Sequence, residues 1–134
     1  MEHWCRFKYT AYVDGGCPGN GWPEAVIMFG SYIIYDAEQN EIERNIEFDL
    51  NHPKKCTNNM AETLSLEALL MRVNNWNYQP ISIYMDSQLV VNQFNGVYRV
   101  KDRYLKRVLD RMPKPSGVSL SWISGNEMKR ILGH

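Results

Sequence analysis

Long apolar runs are missing from this sequence. None approaches the roughly 18 residues that a membrane-spanning helix needs, and the opening MEHWCRFK lacks the apolar stretch of a secretory signal. A cytoplasmic protein with no membrane partner is therefore expected. Cysteine is scarce and odd in number, namely Cys5, Cys17 and Cys56, and no C-x-x-C pair occurs. That excludes a disulfide framework and predicts free thiols in a reducing compartment. His3 with Cys5, and His52 with Cys56, lack the usual spacing of zinc ligands. Net charge is missing too, because 15 Lys and Arg balance 15 Asp and Glu. No global excess therefore marks a polyanion binder. Repeats, low-complexity tracts and linkers are also absent, so 134 residues predict one domain, 1–134, with no obligate protein partner evident.

What is present is an ordinary globular composition, 44 % apolar and 22 % charged, with charge segregated along the chain. Asp36, Glu38, Glu41, Glu43, Glu47 and Asp49 face only Arg44 in their stretch. Further on, Arg99, Lys101, Arg103, Lys106, Arg107, Arg111 and Lys114 outnumber Asp102 and Asp110. Such a local excess either attracts a polyanion or is a solvated, ion-paired helix face.

Aromatic and β-branched residues over 6–13 and 25–35 predict two strands, with Gly30 a bulge or bend in the second. Alternation of Ile42, Arg44, Ile46, Phe48 and Leu50 with charges predicts a third strand over 42–50. Helix formers then fill 61–73 after the cap residues Thr57, Asn58 and Asn59. A strand over 81–85 follows, then helices from Ser87 to Phe94 and from Lys101 to Met112, a strand over 118–123 and a helix over 126–132. The order β-β-β-α-β-α-α-β-α predicts an α/β fold with a mixed sheet and helices on its faces.

Two of these strands end on an acid, Val13-Asp14 and Met85-Asp86. If the strands lie parallel and adjacent, both carboxylates reach the sheet edge where open α/β folds bind ligands. Their mutual repulsion is removed by a divalent cation between them. Glu62 is a third acid, set among Leu, Met and Ala early in a helix. On its own it reads equally as a cap partner of Asn59, as a residue on a narrow exposed stripe, or as a paired group. Carboxylate ligands alone suit Mg2+ or Mn2+ rather than zinc.

These stretches resemble the type 1 ribonuclease H family. Asp14-Gly15-Gly16-Cys17-Pro18-Gly19-Asn20-Gly21 is similar to its first motif, and Thr57-Asn58-Asn59-Met60-Ala61-Glu62 to its T-N-N-x-x-E. Asp86-Ser87-Gln88 matches its D-S-Q, and Trp122-Ile123 its last strand. The blocks stand in the family's order at fitting intervals and cover nearly the whole chain. The segment from Gln88 to Arg107 is similar to compact members without the long basic protrusion. The resemblance implies a ribonuclease H-like fold with a five-stranded mixed sheet. It implies a divalent-metal-dependent endonuclease that hydrolyses the RNA strand of RNA–DNA hybrids, leaving 5′-phosphate and 3′-hydroxyl ends. Asp14, Glu62 and Asp86 would hold two metal ions. Gly15, Gly16, Asn58 and Gln88 would face the RNA minor groove, where 2′-hydroxyls distinguish RNA from DNA. Thr57 and Asn20 would hold a DNA-strand phosphate, and Arg99, Lys101, Arg103, Lys106 and Arg107 would track a phosphate backbone. The glycines would let the main chain approach nucleic acid closely.

The sequence departs from the family at its end. A fourth acid usual on the final helix would fall in a window holding only Leu132, Gly133 and His134. Either His134 replaces it, by imidazole or terminal carboxylate, or the sequence stops short of it, or the protein works weakly on three ligands. Glu127 stands too early to serve. Trp22-Pro23-Glu24 also replaces a more glycine-rich loop. The alternative function is a catalytically weak or inactive module of the same fold that binds hybrid or double-stranded RNA.

Overall fold

The structure is a computed structural model that describes residues 8–19 and 27–133. Five strands, β1 (Tyr9–Gly16), β2 (Met28–Tyr35), β3 (Glu41–Leu50), β4 (Ile81–Met85) and β5 (Val118–Trp122), form one sheet in the order β3-β2-β1-β4-β5. The helices α1 (Asn58–Trp76), α2 (Gln88–Phe94), α3 (Arg103–Arg111) and α4 (Gly125–Leu132) separate or follow the later strands. The first three strands pair antiparallel, whereas β1–β4 and β4–β5 pair parallel. The element order is the one the sequence predicts.

Helix α1 carries the core. Met60, Ala61, Leu66, Leu69, Leu70 and Val73 are fully buried, against Ala11, Val13, Ile33, Ile34, Ile81 and Ile83 of the sheet. Each of the larger of these side chains contributes about 2 kcal/mol by leaving water. The helix is buried on most of its circumference, so its hydroxyls need internal partners. Thr63 donates to the Asn59 carbonyl and Ser65 to the Ala61 carbonyl, both at 2.7 Å. Thr57 caps the N-terminus by accepting from the Met60 N–H at 3.2 Å. Asn77 ends the helix in the left-handed region, φ 56°.

Two expectations change in the strands. Asp14 does not terminate β1, because the strand continues through Gly15 and Gly16, which pair with Gly30 and Phe29 of β2. Sheet pairing thus overrides the turn-like composition. The single alternating parity expected for 42–50 is also broken. The β2–β3 register shifts twice, and Glu47 adopts φ 54° in a bulge where its N–H donates to the Ser31 hydroxyl at 2.9 Å. A one-residue slip exchanges the two faces of a strand. Ile46, Phe48 and Leu50 therefore pack on the core, Ile42 points outward, and Glu43 turns inward to pair with Arg72 and to accept from Tyr32 and Tyr78. The bulge lies in β3, whereas Gly30 itself continues the β2 ladder to Phe48.

No helix among the described residues is long and apolar enough to cross a membrane.

A candidate metal centre and its surroundings

β1 and β4 are adjacent and parallel, in register from Tyr9–Ile81 to Tyr12–Tyr84. Asp14 and Asp86 therefore emerge at the same end of the sheet. Glu62, in the second turn of α1, completes the group, and one carboxylate oxygen from each of the three lies within 4.8 Å of the others. The separation between strand and helix is fixed by Gly15. A Cβ there would stand 2.5 Å from the Ala61 carbonyl carbon and 2.7 Å from the Glu62 nitrogen. Gly15 is thus required first by the helix packed upon it, rather than by approach of a ligand to its Cα.

The site is partly buried, and the proton equilibria respond. Burial first, then the neighbouring Asp86 charge, raises Asp14 to about 7, although the Gly15 N–H at 3.0 Å opposes this. Burial also raises Glu62 to about 7, opposed by a hydrogen bond with Ser87 and assisted by Asp86 and Asp14. These are the properties of negative charge gathered without internal compensation. The donors are carboxylates alone, with neither thiol nor imidazole, so they fit a hard oxygen-binding cation rather than zinc.

Asp86 is also held from the neighbouring strand β5. The Trp122 indole N–H donates to its carbonyl at 3.1 Å, and its carboxylate lies beside Gly125 at the start of α4, where a Cβ would make ordinary contact with Oδ2 at 3.6 Å. Among the described residues, the only carboxylate on α4 is Glu127. It pairs with Arg130 at 3.5 Å and lies outside the three-acid group. His134 and Asn20 lie outside the described residues, as do Cys5 and Trp22-Pro23-Glu24.

The remaining predicted positions surround this centre. Asn58 opens α1 and accepts from the Cys17 N–H at 3.0 Å, tying the loop after β1 to the T-N-N segment. Thr57 is the α1 cap, and Gln88, after the Ser87 cap, is exposed at the start of α2. A Cβ on Gly16 would meet the Phe29 ring at 3.2 Å. Ser87 is the partner of Glu62 that the sequence alone did not reveal. Its place beside Asp86 was the available signal.

The basic residues divide between two surfaces. Arg99 and Lys101 border the α2–α3 connection beside Val97 and Tyr98. Arg103 and Arg107 line a cleft of about 540 Å³ with Asn51, His52, Lys54 and Arg111. There the Arg103 guanidinium stacks on Tyr104, 4.9 Å from the ring centre, and Arg111 is held bidentately by Glu67 at 2.6 and 2.9 Å. Burial and then Arg111 keep His52 below its usual value. Lys54 and Arg107 have no ion-pair partner among the described residues. Lys55, paired with Asp102 at 3.0 Å, links this cleft to Thr57 through the chain. Lys106 instead pairs with Asp110 at 2.9 Å on the exposed side of α3. The sequence pointed to Arg103 and Arg107 but missed His52 and Lys54, which come from the β3–α1 connection.

No family model matches the chain. Solved structures do resemble it. RNase H1 from the halophilic archaeon Halobacterium salinarum NRC-1 is 22 % identical with a TM-score of 0.77, covering 91 % of this chain and 89 % of that one. LC11-RNase H1, isolated from compost by a metagenomic approach, is 24 % identical with a TM-score of 0.75, covering 93 % and 90 %. LC11-RNase H1 in complex with an RNA/DNA hybrid is likewise 24 % identical with a TM-score of 0.74, covering 92 % and 90 %. The chain has the ribonuclease H-like fold, a five-stranded mixed sheet with helices on its faces.

Proposed function

We propose that residues 1–134 are a single ribonuclease H domain, a metal-dependent endonuclease of the type 1 family that cuts the RNA strand of RNA–DNA hybrids. The observation that carries this reading is the convergence of Asp14, Glu62 and Asp86, which are remote in sequence, on one point within 4.8 Å. The fold shared with RNase H1 proteins, one of them in complex with a hybrid, supports it. Cytoplasmic localisation belongs to the same reading.

Asp14, Glu62 and Asp86 hold the metal. Mg2+ or Mn2+, as two ions held by these three carboxylates, would supply the positive charge for hydrolysis to 5′-phosphate and 3′-hydroxyl ends. The protein's own task is to gather three acids, of which Asp14 and Glu62 have a raised proton affinity and so exchange protons for cations near neutral pH. Gly15, Gly16, Asn58 and Gln88 face the RNA minor groove and select the 2′-hydroxyls. Thr57 and Asn20 hold a phosphate of the DNA strand. Arg103, Arg107 and Lys54, with Arg99 and Lys101 further along, draw in the backbone by charge, whereas Lys106 is held by Asp110.

One observation favours a second reading, a module that binds hybrid or double-stranded RNA and cuts it weakly or not at all. The only carboxylate of α4 among the described residues is engaged by Arg130 and stands apart from the three. His134, outside the described residues, is the candidate that the sequence itself offers for a fourth ligand. Labelled hybrid incubated with purified protein and Mg2+, Mn2+ or EDTA decides between the readings. Cation-dependent cutting is the expected result, whereas binding without cutting in every condition supports the second reading. A His134→Ala variant in the same assay tests the His134 imidazole as a ligand.

A further inference from the structure

Cys17 and Cys56 lie outside the carboxylate group, yet they meet where the proposed substrate contacts are joined. Their Sγ atoms are 3.5 Å apart, although the residues are 39 positions apart in sequence. Cys17 follows Gly16 directly, and its N–H holds the Asn58 side chain. Cys56 directly precedes Thr57, the cap of α1. Both thiols are free. A disulfide places its sulfurs about 2.05 Å apart, so the pair needs only a small local movement to close.

We propose that Cys17 and Cys56 are a thiol–disulfide modification site, oxidised by small-molecule disulfides of the glutathione type, and that closure weakens hybrid binding. The effect on binding rests on the hybrid reading above, while the modification itself does not. Exchange begins at Cys56, which is half-buried, whereas Cys17 is 5 % exposed. Burial, and then Cys56, pushes the Cys17 thiol up to about 11, so it stays protonated until a partner engages it. The Cys56 thiolate attacks one sulfur of the small disulfide, expelling one thiolate and leaving a mixed disulfide. Cys17 then gives its proton to solvent and attacks Cys56 Sγ, and the second small thiolate leaves. One small disulfide is reduced to two thiols, and two protein thiols are oxidised to one bond. Contraction of the sulfur pair by more than about 1 Å shifts Asn58 against Gly16, the two positions assigned to the RNA strand.

The test uses the full chain in a Cys5→Ser background, equilibrated with oxidised or reduced glutathione, then mapped by peptide mass and titrated with labelled hybrid in EDTA. The expected result is a Cys17–Cys56 peptide in the oxidised sample only, with the dissociation constant raised about tenfold. A Cys56→Ser variant should bind equally in both samples. Free thiols at both positions under oxidised glutathione overturn the proposal. A mapped disulfide with unchanged affinity overturns its coupling to binding. If hybrid binds in neither state while the disulfide forms, the hybrid reading fails and the modification site stands.

Discussion

Asp14 and Glu62 rise to about 7 from ordinary values of 3.8 and 4.5, so each prefers its proton in the folded chain more than in the unfolded one. In EDTA the folded state is therefore unpenalised below about pH 4 and loses stability as pH climbs towards about 7, beyond which the loss is complete. Melting temperature measured across that range should fall with pH for the parent chain and more gently for Asp14→Asn. The same variant should lose hybrid cleavage in a gel assay while gaining about 1 kcal/mol of metal-free stability near neutral pH. Wild-type cleavage by Asp14→Asn would remove the carboxylate group from the chemistry. Gly15 makes a different prediction, because its missing Cβ is replaced by α1 main chain that cannot move aside. Gly15→Ala should cost about 3 kcal/mol or more in denaturant unfolding.

Strands and helices were legible wherever pattern and boundary agreed. Ile81–Met85 alternates cleanly and stops at Asp86, and the observed β4 has those limits. α3 starts at Arg103 rather than Lys101, because Asp102 caps it, its carboxylate accepting from Tyr104 and Leu105 at 2.8 and 3.2 Å. The face of β3 was not legible. Its bulge places Glu47 at φ 54°, and nothing about a glutamate announces a left-handed backbone. The signal lies in another strand, in the Ser31 hydroxyl that receives the Glu47 N–H. Ser31→Ala should therefore destabilise by about 1 kcal/mol and speed amide exchange at Glu47, as seen by NMR. The meeting of Cys17 with Cys56 was hidden for a similar reason, because it depends on how the β1 loop closes over α1.

The molecule as a whole is neutral, yet its bases gather where α3 meets the β3–α1 connection. The run from Arg99 to Lys114 was visible in the sequence, but its division into paired and unpaired charges was not. Lys106 and Arg111 are engaged by Asp110 and Glu67, while Arg107 remains free to meet phosphate among the described residues. Arg107→Ala should weaken hybrid binding and flatten the dependence of log affinity on log salt by about one phosphate's worth. Lys106→Ala should change that slope little, and equal effects from both would remove the cleft from the interface. The contact of Gly15 with α1 reaches further still. With only peptide backbone between the strand and the helix, the gap between two of the acids is a rigid gauge that repacking of neighbouring apolar side chains cannot widen. Preference for a cation of larger radius should then be reachable by shortening an acid, as in Glu62→Asp, and not by trimming the surrounding leucines.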